Sequence, residues 1–222
     1  MKQITITTFT DPMMGLSYEC EPMYERLKDK YGNRLHFRYA MAVLVRNVHD
    51  FMIPADYGET EAETIRNYNR RLAQIYKSEE HIGGLPINMD NFRLFDEQHT
   101  TSEPLCLAYK AVEHFAPEQA EAFLYALRRA TIVETRPTTH WDEILRVVRC
   151  CNIDEQVFEH AYHSSEVREA LREDINTMNV LGICQLPVCL LQFDNKQLLI
   201  SPLVGFDLFS QTIEQLSRTT DL

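Results

Sequence analysis

The chain opens on an alternation of isoleucine and threonine from Gln3 to Phe9, the composition of a short buried strand, and Asp11-Pro12 breaks it. Leu16, Cys20, Met23 and Leu27 then recur at helical spacing, with Ser17 as a candidate N-cap and Gly32-Asn33 as a stop. A second apolar run, rich in Tyr, Phe and Val, covers Leu35 to Val45, so the opening predicts a βαβ unit with a parallel pair of strands. Thr60 to Lys77 follows as an amphipathic helix: acidic residues fill its first turn, and Ile65, Tyr68, Leu72 and Ile75 share one face. Residues 78 to 101 carry Gly83-Gly84, Pro86 and scattered polar residues and read as a long connection. Helical patterns resume at Glu103 to His114, Pro117 to Thr131, Trp141 to Cys151, Ile153 to Tyr162 and Ser165 to Asn179. Val188 to Phe193 and Gln197 to Ile200 form a hairpin about Asp194-Asn195-Lys196, and Phe206 to Arg218 closes the chain as a helix.

At 222 residues and 45% hydrophobic content, the chain can bury a sizeable core as one large domain, or as a core domain plus an insertion. A formal charge of −11 argues against nucleic acid and anionic membranes as partners, because both reward basic surfaces. The N-terminus has no apolar run of signal-peptide length. No segment reaches the roughly 18 uncharged apolar residues of a membrane span, so a cytoplasmic location is expected.

The break after the first strand carries the candidate chemistry. Asp11-Pro12-Met13-Met14-Gly15-Leu16-Ser17-Tyr18 resembles the Asp-Pro-x-Cys-x-x-Cys-Trp/Tyr run that opens the first helix in the DsbA-like branch of the thioredoxin superfamily. Asp11 and Pro12 match, Met14 stands at the attacking cysteine, Ser17 at the second cysteine and Tyr18 at the aromatic position. Far downstream, Gly182-Ile183-Cys184-Gln185-Leu186-Pro187-Val188 resembles the family's Gly-Val-x-Gly-Val-Pro-x-Phe run, which brings a cis-proline beside the active site; here Gln185 replaces the second glycine and Leu186 precedes the proline. The resemblance covers residues 3 to 45 and 176 to 217. It implies an α/β, thioredoxin-like fold with a large all-helical insertion. Residues 1–58 and 176–222 would make the thioredoxin-like domain and residues 59–175 the insertion. It also implies a ligand site at Asp11, Pro12, Met14, Ser17, Tyr18, Leu186 and Pro187. Trp141, Tyr68, Tyr76, Tyr109 and Tyr125 of the insertion either line a groove against residues 11 to 18 or serve packing.

A dithiol at a helix N-terminus works because the exposed amides and the macrodipole stabilise the attacking thiolate. Met14 cannot ionise and Ser17 has no thiol to resolve a mixed disulfide, so no catalytic residue is assigned. The kappa-class glutathione transferases and hydroxychromene-carboxylate isomerases, a related branch, use a serine in runs resembling Ser-Pro-Tyr-Ser-Trp; Met14 falls on that serine too. Ser17 remains either as a donor to an anion or a peptide carbonyl, or simply as a helix cap. Of the six cysteines, Cys20 with Cys184 is conceivable as a relocated pair, although Cys20 and Cys189 sit in apolar runs and read as buried small hydrophobes. Cys150-Cys151 point in different directions on a helix. Glu159, His160 and His163 do not converge with other ligands, so no metal site is expected. The resemblance therefore implies a peptide- or protein-binding adaptor, of the kind that presents substrates to a Clp-type protease. A glutathione-dependent transferase or isomerase is the alternative, with glutathione as its ligand and no other cofactor.

Overall fold

The computed structural model describes residues 3–218; residues 1–2 and 219–222, the ends of the expected ranges 1–58 and 176–222, lie outside the described residues. β1 (Ile4–Thr10) alternates as its sequence predicts. Ile4, Ile6 and Thr8 turn to one face of the sheet, where α2 (Glu21–Tyr31) and α9 (Phe206–Arg218) cover them with Tyr24, Leu27, Phe209 and Ile213. On the other face Phe9 packs with Ala40 and Leu190, and Leu186 and Met178 close that cluster. β1 pairs in parallel with β2 (Leu35–Met41) and antiparallel with β3 (Val188–Phe193), which pairs antiparallel with β4 (Lys196–Ile200). The sheet order is therefore β2-β1-β3-β4, and its parallel first pair and its hairpin agree with the sequence pattern.

Between β2 and β3 the chain makes a helical block: α3 (Glu61–Glu79), α4 (Glu103–Phe115), α5 (Pro117–Ile132), α6 (Trp141–Cys150), α7 (Glu155–Tyr162) and α8 (Ser165–Val180). Its core, including Leu105, Phe123, Leu127 and Phe158, runs on without interruption into Met13, Tyr18, Met41 and Val43 at the end of the sheet. α8 then returns along β2, where the Asp174 carboxylate accepts the Met41 amide at 2.9 Å. Within α3 the buried stripe passes from Leu72 to Tyr76, leaving Ile75 exposed, because a step of four residues follows the helix turn more closely here than a step of three. Tyr68, Tyr76 and Tyr109 are buried, and Trp141 packs on Phe158 and Tyr162 at the edge of the same core, with His163 beside it.

Two local expectations are corrected. The second strand ends at Met41 rather than Val45, because β1 has ended at Thr10: Ala42 N–H still reaches Thr10 C=O at 2.9 Å, but Leu44 N–H then donates to Asp11 Oδ2 at 2.8 Å and Val45 N–H to Ser102 Oγ at 3.1 Å. The first helix is not one helix capped by Ser17. α1 (Gly15–Glu19) starts from Met14 in extended conformation, Ser17 lies inside it, and Cys20 separates it from α2. Pro22, which has no N–H to continue the ladder, accounts for the break.

Candidate functional site

β1 delivers the chain into a turn in which Met14 N–H donates to Asp11 C=O at 3.1 Å, and α1 begins at the next residue. The antiparallel register, Phe9 opposite Val188, carries Pro187 alongside Thr10, so the two sequence motifs meet at one end of the sheet. The Leu186-Pro187 peptide bond is cis, as the resemblance implies.

The side chains there are largely enclosed. Asp11 is fully buried, and its carboxylate accepts Met13 N–H at 3.0 Å, Leu44 N–H at 2.8 Å and Ser102 Oγ–H at 2.6 Å, with Cys106 Sγ at 3.5 Å. Burial pushes its pKa above the usual carboxylate range, while those donors oppose the rise. Pro12 is buried, Met14 is only 6% exposed, and Tyr18 is buried with its hydroxyl on Pro86 C=O at 3.4 Å. Ser17 is fully buried and its oxygen accepts Thr10 Oγ1–H at 2.7 Å. Leu186 is half-buried and Pro187 buried.

Thr10 is itself held by a residue the sequence did not single out. Arg128 of α5 is fully buried; its Nη2 donates to Thr10 Oγ1 at 2.8 Å and its Nη1 to Glu21 Oε1 at 3.1 Å, while Nε finds no partner among the described residues. A chain of contacts thus runs from the helical block through Arg128 and Thr10 to Ser17. Burial pushes the Glu21 carboxyl up to about 7 against the pull of Arg128, so the acid side of this pair is only partly ionised at neutrality. In the pattern Leu127-Arg128-Arg129, nothing distinguished the buried arginine from its exposed neighbour. Glu21 also borders an open groove of about 680 Å³ between α2 and α5, with Lys28, Leu85, Glu121 and Tyr125.

Cys20 and Cys189, the two cysteines beneath the sheet, are not activated nucleophiles. Burial pushes Cys20 up to about 12 and Cys189 up to about 11, so about one part in 10⁵ of Cys20 is thiolate at pH 7. Cys189 Sγ lies 3.4 Å from Thr8 Oγ1 and 3.5 Å from the Tyr24 hydroxyl. Cys184 is exposed, on the turn before Leu186, whereas Cys20 is buried under the opposite face of the sheet.

Residues 7–206 match the family model described as Thioredoxin. The chain belongs to the thioredoxin family, and its fold is the DsbA-like one. It is similar to the ClpXP adapter protein SpxH of Halalkalibacterium halodurans, 24% identical over 195 residues; the match takes in 87% of this chain and 60% of that protein's length. Among solved structures it superposes on a putative protein disulfide isomerase from Nitrosomonas europaea with a TM-score of 0.79 at 16% identity, over 99% of this chain and 100% of the other. It also superposes on the cytosolic disulfide reductase DsbM from Pseudomonas aeruginosa with GSH, with a TM-score of 0.72 at 18% identity, over 96% and 99% of the two chains.

This thioredoxin-family chain places a carboxyl group at each end of α1, Glu79 beside Gly15 and Glu19 as the last residue. Glu19, on the far turn of α1, accepts Gly83 N–H at 2.7 Å and Leu85 N–H at 3.3 Å, which fastens the 80–86 connection over the helix. Gly83 sits so close that a Cβ would overlap the Glu19 carbonyl, so glycine is required there by close approach; a Cβ at Gly15 would instead push the Glu79 carboxylate aside and press on the Tyr76 ring. The Gly83-Gly84 pair makes a turn within that connection, with Gly84 at φ +75°. Glu19 Oε1, Glu79 Oε2 and the Tyr76 hydroxyl are buried without a hydrogen-bond partner among the described residues.

Burial, reinforced by Glu19, pushes the Glu79 carboxyl up to about 7. A carboxyl whose folded pKa lies above its unfolded value binds protons more tightly in the native state. Stability is therefore full below about 4.5 and falls as pH rises towards 7, levelling above it. Glu21 contributes with the same sign. The melting temperature is expected to fall between pH 5 and 7.5, and Glu79→Gln should flatten part of that fall and raise stability at pH 8. A variant whose pH profile parallels the parent's would contradict this assignment.

Along the helical block, Glu159 and His160 are exposed on α7, in keeping with a solvated helix face, and His163, also exposed, follows the helix end beside Trp141. Asp96, His99 and His140 do converge, in a place the sequence gave no reason to join: one lies at each end of a four-residue turn and the third some forty positions on.

Proposed function

We propose that this chain is an adaptor that holds a protein or peptide partner at the end of its sheet where Leu186-Pro187 meets the Met14 turn, and that it does not exchange disulfides there. The observation that carries this reading is the state of the motif itself. The backbone turn and helix start of a dithiol site are intact, yet the nucleophile position is a covered methionine and the second position is a serine whose oxygen is already engaged by Thr10. Among Asp11, Pro12, Met14, Ser17, Tyr18, Leu186 and Pro187, Leu186 is the one with most surface. The others shape the turn that presents it. Backbone groups beside Leu186 would take an extended partner segment in the manner of strand addition. The name of the SpxH relative supports a partner destined for ClpXP, and free cysteines with no disulfide among the described residues suit a reducing, cytoplasmic setting.

In the test, the purified chain should reduce insulin no faster than a control without protein, and it should speed degradation of a bound partner by ClpXP. Leu186→Asp should lower that effect at least tenfold, beyond what the loss of its packing on Phe9 and Leu190 costs in folded fraction. Disulfide turnover that disappears in Cys20→Ala or Cys184→Ala would sink the proposal. The second reading, a glutathione site between Pro187 and the start of α1, is supported by the register that sets Pro187 beside Thr10. Saturable glutathione binding weakened by Leu186→Asp, with no effect on ClpXP, would favour it.

A further inference from the structure

Asp96 closes a short turn with His99: each residue's N–H donates to the other's carbonyl, at 3.3 and 3.2 Å, and the Asp96 carboxylate accepts the Gln98 and His99 amides at 2.9 Å. His140 stands at the start of α6, its N–H on Pro137 C=O at 3.0 Å, and Thr139 Oγ1 beside it donates to Leu94 C=O. Backbone bonds hold both segments, and the Asp96 carboxylate braces its own turn, so the two histidines are set in place without bonds from their own rings to the backbone. Across the seam the rings of His99 and His140 stack at 3.8 Å with 20° between planes. His99 Nδ1 lies 2.8 Å from Asp96 Oδ1, and His140 Nε2 lies 2.8 Å from Asp96 Oδ2. One ligand atom from each residue falls within 4.8 Å of the other two.

We infer that Asp96, His99 and His140 form a binding site for a divalent transition-metal ion of the zinc and cobalt class, joining the 92–101 connection to the turn before α6. The donor set is two imidazole nitrogens and one carboxylate, which suits these ions and disfavours calcium or magnesium, which prefer oxygen donors. The side chains are 31 to 44% exposed, so an ion can enter and water can complete its coordination.

In the hydrogen-bonded arrangement each imidazole turns an N–H towards the carboxylate. To ligate, each ring passes to its other tautomer: the proton leaves Nδ1 of His99 and Nε2 of His140 and returns from solvent to the opposite ring nitrogen, so no net charge is lost. Two N–H···O contacts are exchanged for three metal–ligand bonds. The stacked rings must tilt for their lone pairs to converge on one ion, and partial exposure leaves room for this. The inference is independent of the adaptor reading.

The test is titration of the full chain with Co²⁺, followed by competition with Zn²⁺. One equivalent should bind with visible d–d absorption and no thiolate-to-cobalt charge transfer, and Zn²⁺ should displace it. His99→Ala, His140→Ala and Asp96→Asn should each weaken binding at least tenfold. His163→Ala and the double change Cys150→Ser with Cys184→Ser should leave it unchanged. Zn²⁺ should raise the melting temperature of the parent and of those controls, but not of the site variants. Absence of saturable binding would overturn the site, as would unchanged binding in folded His99→Ala/His140→Ala, or thiolate bands that vanish with the exposed cysteines. Should the alanine variants fail to fold, anomalous scattering from Co²⁺ soaked into crystals of the parent decides the matter, by peaking beside Asp96 or elsewhere.

Discussion

Arg128→Ala is expected to lower the unfolding free energy by about 3–5 kcal/mol, the usual cost of stranding one member of a buried ion pair. Arg128 is fully buried and joins three parts of the fold: its own helix α5, Glu21 at the start of α2, and Thr10 at the end of β1. Truncation removes the donor to both oxygens and leaves a cavity under the motif turn. Urea unfolding measures it, and a midpoint lower by more than about 1 M is expected. A pH signature accompanies the loss. Without the guanidinium the Glu21 carboxyl rises further from its present value of about 7, so the deficit relative to the parent should grow as pH passes from 7 to 9. Arg128→Met with Glu21→Gln, which fills the volume and removes the charge, should recover most of the loss. A single alanine variant within about 1 kcal/mol of the parent would show that Arg128 is not the strut described.

Asp11→Ala should be comparably severe, for a different reason. Here one carboxylate satisfies Met13 N–H, Leu44 N–H and the Ser102 hydroxyl, all in the interior. Each donor left without a partner costs about 1–3 kcal/mol, so a total of about 3–6 kcal/mol is expected after partial relaxation. Asp11→Asn, which keeps one acceptor and turns an amide N–H₂ towards the remaining donors, should fall between the two. Because Asp11 fixes both the turn before Met14 and the exit from β2, partner binding should fall only in proportion to the unfolded fraction. Loss of binding in a variant that remains folded would instead make Asp11 a direct contact.

The outline of this fold is legible in the chain because its elements are locally consistent. The isoleucine-threonine alternation of β1, the hairpin turn at Asp194-Asn195, and the helix starts at Thr60 and Pro117 each satisfy one simple rule, and the structure follows them. The two motif segments were also recognisable, although more than 160 positions separate them, because each carries a proline in a distinctive local setting. Where local rules failed, a tertiary partner outbid them. Ser17 reads as a cap but is turned inward by Thr10 and Arg128, and Val43 to Val45 read as strand but lost their neighbour when β1 ended.

By itself, then, the sequence determined the strand and helix order, the parallel start, and the absence of thiols at Met14 and Ser17, since periodicity, turn chemistry and residue identity are properties of the chain alone. Only the tertiary structure decided that Asp11 is a buried strut, that Arg128 lies beneath the motif, that Glu79 comes to lie beside Gly15 of α1, and that Asp96 meets His99 and His140. Each depends on how deeply a charged side chain is buried and on which distant segment supplies its partner, and no spacing along the chain encodes either.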